Sequence, residues 1–250
     1  MKGAEVQIKT KNFMLCLGHY RHCLEKNGVI SWTIRENVIP LHAQMTTIYL
    51  VRHGETVDNA RQVMQGQAQG ELNEKGREQA QQVAERLATE QIDAVVASDL
   101  RRAIQTAEII AAPHGLPVRT TPLLRERDWG SFTGRFIPDL RGEVWPDDIE
   151  SEEALLERAR SFLIYITTTY PDKRVVAVGH GIVNKAILAV YAQCPMREVQ
   201  RMVNAEVRLL TTSAVAMASA TTAACTAAAT AATPADIAAT EAPTAVASAE

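Results

Sequence analysis

Hydrophobic positions along this chain follow two periods in turn. Thr46 to Val51 is a short apolar, β-rich run, the pattern of a strand buried on both faces. Asn73 is suited to cap a helix, and after it Ala80, Val83, Ala84 and Leu87 recur at the spacing of one helical face. Ile92 to Ala97 reads as a second buried strand. Ala103, Ala107, Ile110 and Ala111 mark the next helix, which ends before Gly115 and Pro117. Ser151 can cap a longer helix, with Glu152 and Glu153 in its first turn and an apolar stripe of Leu155, Leu156, Ala159, Phe162, Leu163 and Ile166. Arg174 to Gly179 predicts a third buried strand, Ile182 to Gln193 another helix, and Glu206 to Leu210 a last, edge strand. Strands alternating with helices predict an α/β domain, a three-layer α/β/α sandwich in which a mainly parallel sheet carries helices on both faces.

This pattern fills residues 45–212, and Met45 is a natural start for the domain. Residues 1–44 show no sustained period and read as a disordered leader or a small appendage. Their apolar piece, Phe13 to Leu17, follows Lys9 and Lys11 as in a secretory signal. It is too short for such a signal's apolar core and is followed by His19, Arg21 and His22. Residues 213–250 are almost wholly Ala and Thr, interrupted by Pro234 and Pro243. They hold too little bulky apolar surface to form a core, so they read as a disordered low-complexity tail.

Composition narrows the partners. The net charge is −3 over 250 residues, so no broad basic face is expected, which argues against nucleic acid and anionic membrane surfaces. No run is long enough to span a bilayer. The four cysteines, Cys16, Cys23, Cys194 and Cys225, are scattered and suggest no disulfide framework, so a reducing, cytoplasmic compartment is expected. Cys16, His19, His22 and Cys23 fit no common zinc spacing, and no metal is expected. A small anionic substrate would need a local arginine cluster.

Such a cluster is visible. Tyr49-Leu50-Val51-Arg52-His53-Gly54-Glu55 and Val176-Ala177-Val178-Gly179-His180-Gly181 each place a His-Gly pair at the carboxyl end of a buried strand. In open α/β sheets that end is where ligands bind. The glycine would let backbone approach a ligand closely, and the two histidines would meet if their strands were neighbours. Arg52 stands beside His53. Ser98-Asp99-Leu100-Arg101-Arg102-Ala103 brings two more arginines to the end of the second strand, and the helical period sets Arg102 next to the apolar face. Guanidinium matches phosphate oxygens in a two-pronged way. Two histidines without a grouped carboxylate make a poor metal site.

On these residues the chain resembles the histidine phosphatase superfamily, which includes the cofactor-dependent phosphoglycerate mutases and the fructose-2,6-bisphosphatases. Arg52-His53-Gly54-Glu55-Thr56, with Asn59, Gln65-Gly66 and Leu72-Asn73-Glu74-Lys75-Gly76, is similar to the family's opening block. Ser98 to Ala107 resembles its second block, Leu124 to Gly134 its third, and Gly179-His180-Gly181 its fourth. The resemblance implies a phosphoglycerate mutase-like fold and a reaction without metal or cofactor. His53 would attack phosphorus through one ring nitrogen while a backbone carbonyl holds the other. Arg52, Arg102, Asn59 and His180 would surround the phosphoryl oxygens. Glu126 would give a proton to the leaving oxygen and later activate water. An ion pair with Arg125 or Arg127 is the other use of that carboxylate. Thr56, Gln65, Gly66 and Gly181 match positions at or beside the substrate.

Within the family, mutases carry a longer insertion after the third block, whereas Gly134 to Ser151 is short here and offers Arg135 and Arg141 amid Asp139, Glu143, Asp147 and Asp148. A phosphatase is therefore expected ahead of a phosphoglycerate mutase. The substrate would be a small phosphorylated metabolite such as a sugar phosphate or phosphoglycerate. Thr133 departs from the acidic residue that many members carry before the final glycine, which leaves the substrate open. A non-catalytic phosphate-binding or scaffolding module is the third reading, against which nucleophile and acid are both present. Relatives are commonly homodimers, but no interface signal stands out.

Overall fold

The computed structural model describes residues 23–26, 29–32 and 44–213. The chain divides into two compact units, Met1–His42 and Ala43–Glu250. In the first, β1 (Cys23–Lys26) and β2 (Val29–Trp32) pair antiparallel, a hairpin inside the stretch expected to be a leader or appendage. The rest of that stretch, including Cys16, His19 and His22, lies outside the described residues, as does the Ala/Thr tail beyond Ser213.

The second unit holds a five-stranded sheet. Its strands are β3 (Thr46–Arg52), β4 (Ala94–Ser98), β5 (Val118–Thr121), β6 (Arg174–Gly179) and β7 (Val207–Thr212), in the order β5-β4-β6-β3-β7. The first four run parallel, and β7 closes one edge antiparallel to β3. Three of the α-helices among the described residues carry a side-chain cap. The short α1 (Val57–Ala60) opens with a capping box between Thr56 and Asn59. Asn73 caps α2 (Glu74–Leu87) through Gly76 N–H, and Ser151 caps α4 (Glu152–Thr169) through Ala154 N–H. Leu100 precedes α3 (Arg101–Ala111), and His180 precedes α5 (Gly181–Ala192), in both cases without a side-chain cap of its own.

Alternate strand residues feed opposite cores, as a period of two requires. Ile48, Leu50, Val175 and Ala177 pack with Leu155, Phe162, Leu163 and Ile166 of α4 and Val183 and Ile187 of α5. Tyr49, Val51, Val176 and Val178 pack on the other face with Val83 and Leu87 of α2 and Ala107 and Ile110 of α3. The result is the three-layer sandwich. Phe162 is fully buried, and truncating it to alanine would cost about 3–5 kcal/mol. The registers Arg52↔Gly179 and Ala97↔Val178 align the carboxyl ends of β3, β4 and β6 side by side. Because the chain leaves β3 for β4 and fills the gap later with β6, a crevice for ligands is expected above these three ends. No helix among the described residues is long and apolar enough to cross a membrane.

Candidate active site

His53 follows the last residue of β3 and His180 the last residue of β6. Parallel pairing sets the two rings edge to face, with centroids 5.0 Å apart. The peptide N–H of His53 donates to the carbonyl of Gly179 at 3.1 Å and ties the two strand ends together. His53 is 3% exposed and His180 is fully buried.

The glycine after each histidine also has close protein neighbours. A Cβ at Gly54 would lie 2.3 Å from the carbonyl oxygen of Gly76 in the first turn of α2. At Gly181 it would lie 2.7 Å from Nε of Arg201. The first contact is with rigid backbone, so any side chain there would push α2 off the loop that follows His53.

Hydrogen-bond partners set opposite tautomers on the two rings. His53 Nδ1 is 2.7 Å from the carbonyl of Gly54. A carbonyl only accepts, so Nδ1 carries the proton and Nε2 keeps its lone pair. At His180, Nδ1 receives the Nε–H of Arg102 at 3.1 Å. A guanidinium only donates, so the His180 proton sits on Nε2. That buried Nε2 has no partner among the described residues, and neither does Nε of Arg52. The site therefore holds a lone-pair nitrogen beside two unspent N–H donors. Burial, then the charges of Arg102 and Arg52, holds the pKa of His53 well below 6.5. Burial, Arg102 and His53 do the same for His180. Both rings are neutral near pH 7.

The two arginines remain charged. Burial lowers each to about 10, with Arg201 adding to the shift at Arg52. Arg52 donates through NH1 to the carbonyl of Met202 at 2.7 Å. Arg102, only 1% exposed, spends NH1 on Ala68 O at 2.7 Å and NH2 on Gly66 O at 2.8 Å. Its fork thus shapes the 66–68 loop and orients His180, and each terminal nitrogen keeps one further N–H. Arg101 stays on the surface with Glu71 at 3.1 Å.

Glu126 is buried at the start of α5, where it supplies the cap that His180 does not. Oε1 accepts from the peptide N–H groups of Arg127 (2.9 Å), Ile182 (3.1 Å) and Val183 (3.1 Å), and Oε2 from Ile182 at 3.2 Å. These satisfy orphan donors at the positive end of the helix. Neither side-chain ion pair offered by the sequence is the one these bonds show. Arg125 pairs with Asp99 at 2.6 Å, while Arg127 donates from Nε to Glu150 O and stacks near Trp129 and Trp145.

The remaining sequence candidates line the opening loop. Thr56 Oγ1 accepts from Asn59 N–H at 3.0 Å and from Gln65 Nε2 at 2.8 Å, and Gln65 also donates to Asp58 at 2.9 Å. These contacts hold the loop together. Asn59 Oδ1 accepts from the Thr56 peptide and from Asn204. Gly66 contributes the carbonyl that Arg102 binds. His114 and Cys194 stand elsewhere, and among the described residues no group of three His, Cys, Asp or Glu gathers as a metal ion would need.

Several residues at the site were not singled out from the sequence. Asn204 donates to the carbonyl of His53 at 3.1 Å. Asn184 donates to the carbonyl of Val51 at 3.1 Å. Arg158 on α4 holds the acid's loop from below through Leu123 O, Arg125 O and Glu126 O, while pairing with Glu150 at 2.6 Å. Arg201 lies against Gly181. A polar residue inside an apolar helix face, as at Asn184, was the one available cue; the loop residues had none.

A model of the histidine phosphatase superfamily (branch 1) matches residues 48–216. The chain is 38% identical over 179 residues to phosphoglycerate mutase-like protein 4 of Arabidopsis thaliana, covering 65% of this chain and 77% of that one. It is 36% identical over 166 residues to the uncharacterized phosphatase PhoE of Bacillus subtilis, covering 64% and 86%. A mycobacterial glucosyl-3-phosphoglycerate phosphatase solved with VO3 superposes with a TM-score of 0.61 at 31% identity, over 66% of this chain and 90% of that one.

Proposed function

The chain belongs to the histidine phosphatase superfamily, and from that premise we propose that it hydrolyses a small phosphomonoester through a phosphohistidine on Nε2 of His53. The observation that carries this reading is the pair of opposed tautomers. A neutral ring with its proton anchored on a backbone carbonyl presents its lone pair beside two buried N–H donors that have no partner among the described residues.

In the first step the Nε2 lone pair of His53 forms the N–P bond as the ester P–O bond breaks. The departing oxygen takes the proton of Glu126. The phosphoryl oxygens gather charge, and the Nε2–H of His180, the guanidinium of Arg52, the charge of Arg102 and the amide of Asn59 stabilise it. These donors are fixed before substrate arrives, so little reorganisation is needed during reaction. In the second step Glu126, now a carboxylate, takes a proton from water while the water oxygen forms the new P–O bond and His53 leaves. Inorganic phosphate departs and both residues are restored.

Hydrolysis is favoured over transfer to a second substrate by the 134–151 segment. Of its two arginines, Arg135 is tied to Glu143, which leaves little to retain a bisphosphorylated cofactor. The substrate class is supported by the phosphatase and phosphoglycerate mutase-like relatives. The domain responsible is residues 45–212, with a cytoplasmic setting and possible homodimerisation as further parts of the proposal. The test is phosphate release in excess chelator from 3-phosphoglycerate, fructose bisphosphates, α-ribazole phosphate and an aryl phosphate, beside His53→Ala. Release that survives chelator and vanishes in the variant supports the reading. Exchange between 3- and 2-phosphoglycerate without net phosphate release would replace it with the mutase.

A further inference from the structure

The cations that face the phosphoryl group are buried and braced, but Arg201 is exposed and braced only by position. Its guanidinium lies against the first residue of α5. A Cβ on Gly181 would be 2.7 Å from Nε, 2.9 Å from NH2 and 3.2 Å from Cζ, so the guanidinium meets the backbone immediately after His180 with its Nε/NH2 edge. The loop that carries it is fastened to the nucleophile strand. Arg52 binds Met202 O, Asn204 binds His53 O, and Ala205 N–H donates to Arg52 O at 3.0 Å. The charge of Arg201 is felt at both Arg52 and His53.

No carboxylate or carbonyl among the described residues takes a hydrogen bond from Arg201. Glu198, three residues before it, makes no ion pair with it among the described residues, and Glu206, five residues after it, is engaged by Val203 N–H at 2.8 Å and by Arg208 at 2.7 Å. A surface arginine in bulk solvent would need no explanation. One set beside Gly181, adding repulsion to Arg52 and hydrogen-bonded to no carboxylate among the described residues, has a cost that an anionic ligand offsets. Its Nε/NH2 edge faces Gly181, and its NH1 side, which donates to no acceptor among the described residues, is left for contact with an anion.

We infer that Arg201 reads a second anionic group on the substrate, a carboxylate or a second phosphate on the same small skeleton as the reacting phosphoryl. This rests on the phosphomonoesterase reading and narrows it to doubly anionic esters. Phenyl phosphate or glycerol 3-phosphate would fill the inner subsite alone.

Calorimetric titration of the full chain carrying His53→Ala, with and without Arg201→Ala, tests this without turnover. The probes are 3-phosphoglycerate, fructose 1,6-bisphosphate and phenyl phosphate. Loss of Arg201 should weaken at least one of the first two by about tenfold and leave phenyl phosphate within about twofold. Which of the two weakens identifies carboxylate or phosphate, and Arg201→Lys should restore part of the loss. Equal weakening of all three probes, or of none, overturns the inference. Phosphate release by the unmodified chain is measured in parallel. Absence of release from every ester counts against the hydrolase reading, while the titrations still decide the role of Arg201.

Discussion

At the amino end of the sheet, Arg174 meets Glu90 and Tyr49, and Lys173 meets Asp93 at 3.1 Å. At the carboxyl end, Arg52, Arg102, His53 and His180 are packed together, and the acid among them, Glu126, is spent on the peptide groups of α5. The first cluster is partly exposed, each charge has its counter-charge, and solvent screens the pairs. The second is buried, its arginines feel Glu126, Asp58 and Glu206 without a side-chain ion pair among the described residues, and two of its N–H donors have no partner among the described residues. Burying charge this way is costly. The difference separates charge that serves solubility from charge held ready for a ligand.

Four substitutions or conditions sharpen that contrast. The largest effect is expected for His53→Ala, which should lower phosphate release by roughly 10³-fold or more while the protein still melts cooperatively. Activity within a few-fold of the unmodified chain would place the nucleophile elsewhere. Next is Glu126→Gln, with a loss of about 10²- to 10⁴-fold on alkyl esters. An aryl phosphate, whose leaving oxygen needs less proton donation, should lose much less. Equal losses on both would assign Glu126 to capping α5 alone.

A third effect comes from pH. Folding holds His53 and His180 well below the 6.5 they regain on unfolding. Below that value the unfolded chain binds more protons, so the contribution is complete above about pH 6.5 and is lost as pH falls toward the folded values. Each histidine adds up to about 1.4 kcal/mol per pH unit to the slope. Urea melts of the unmodified chain and of His180→Gln over this range should differ in slope, and identical slopes would contradict the buried neutral rings. The smallest effect is expected at the other end of the sheet. Arg174→Ala should leave kcat/KM unchanged and shift the thermal midpoint only slightly, because its pair is solvent-exposed.

The same contrast explains what could be read from sequence. Continuous apolar runs announced β3, β4 and β6, and capping residues announced α2 and α4. The helical period separated inward Arg102 from outward Arg101. β5 escaped notice because Val118-Arg119-Thr120-Thr121 is an edge strand with its middle residues exposed, and so shows no apolar run. The β1–β2 hairpin is built from strands of four residues, too short for a period to register. Asn204 and Arg201 act from a loop whose course is set by long-range bonds to β3, and local pattern holds no record of those. The glycines after the two histidines were legible as close approaches, but the approaching partners, Gly76 and Arg201, belong to other parts of the fold.

The most direct test of the phosphohistidine is to quench the enzyme in alkali during turnover and map the covalent adduct by mass. A phosphoryl group on His53, stable to alkali, lost in acid and absent from His53→Ala, is the predicted result. Rapid phosphate release with no adduct trapped at any time, or an adduct on another residue, would contradict it.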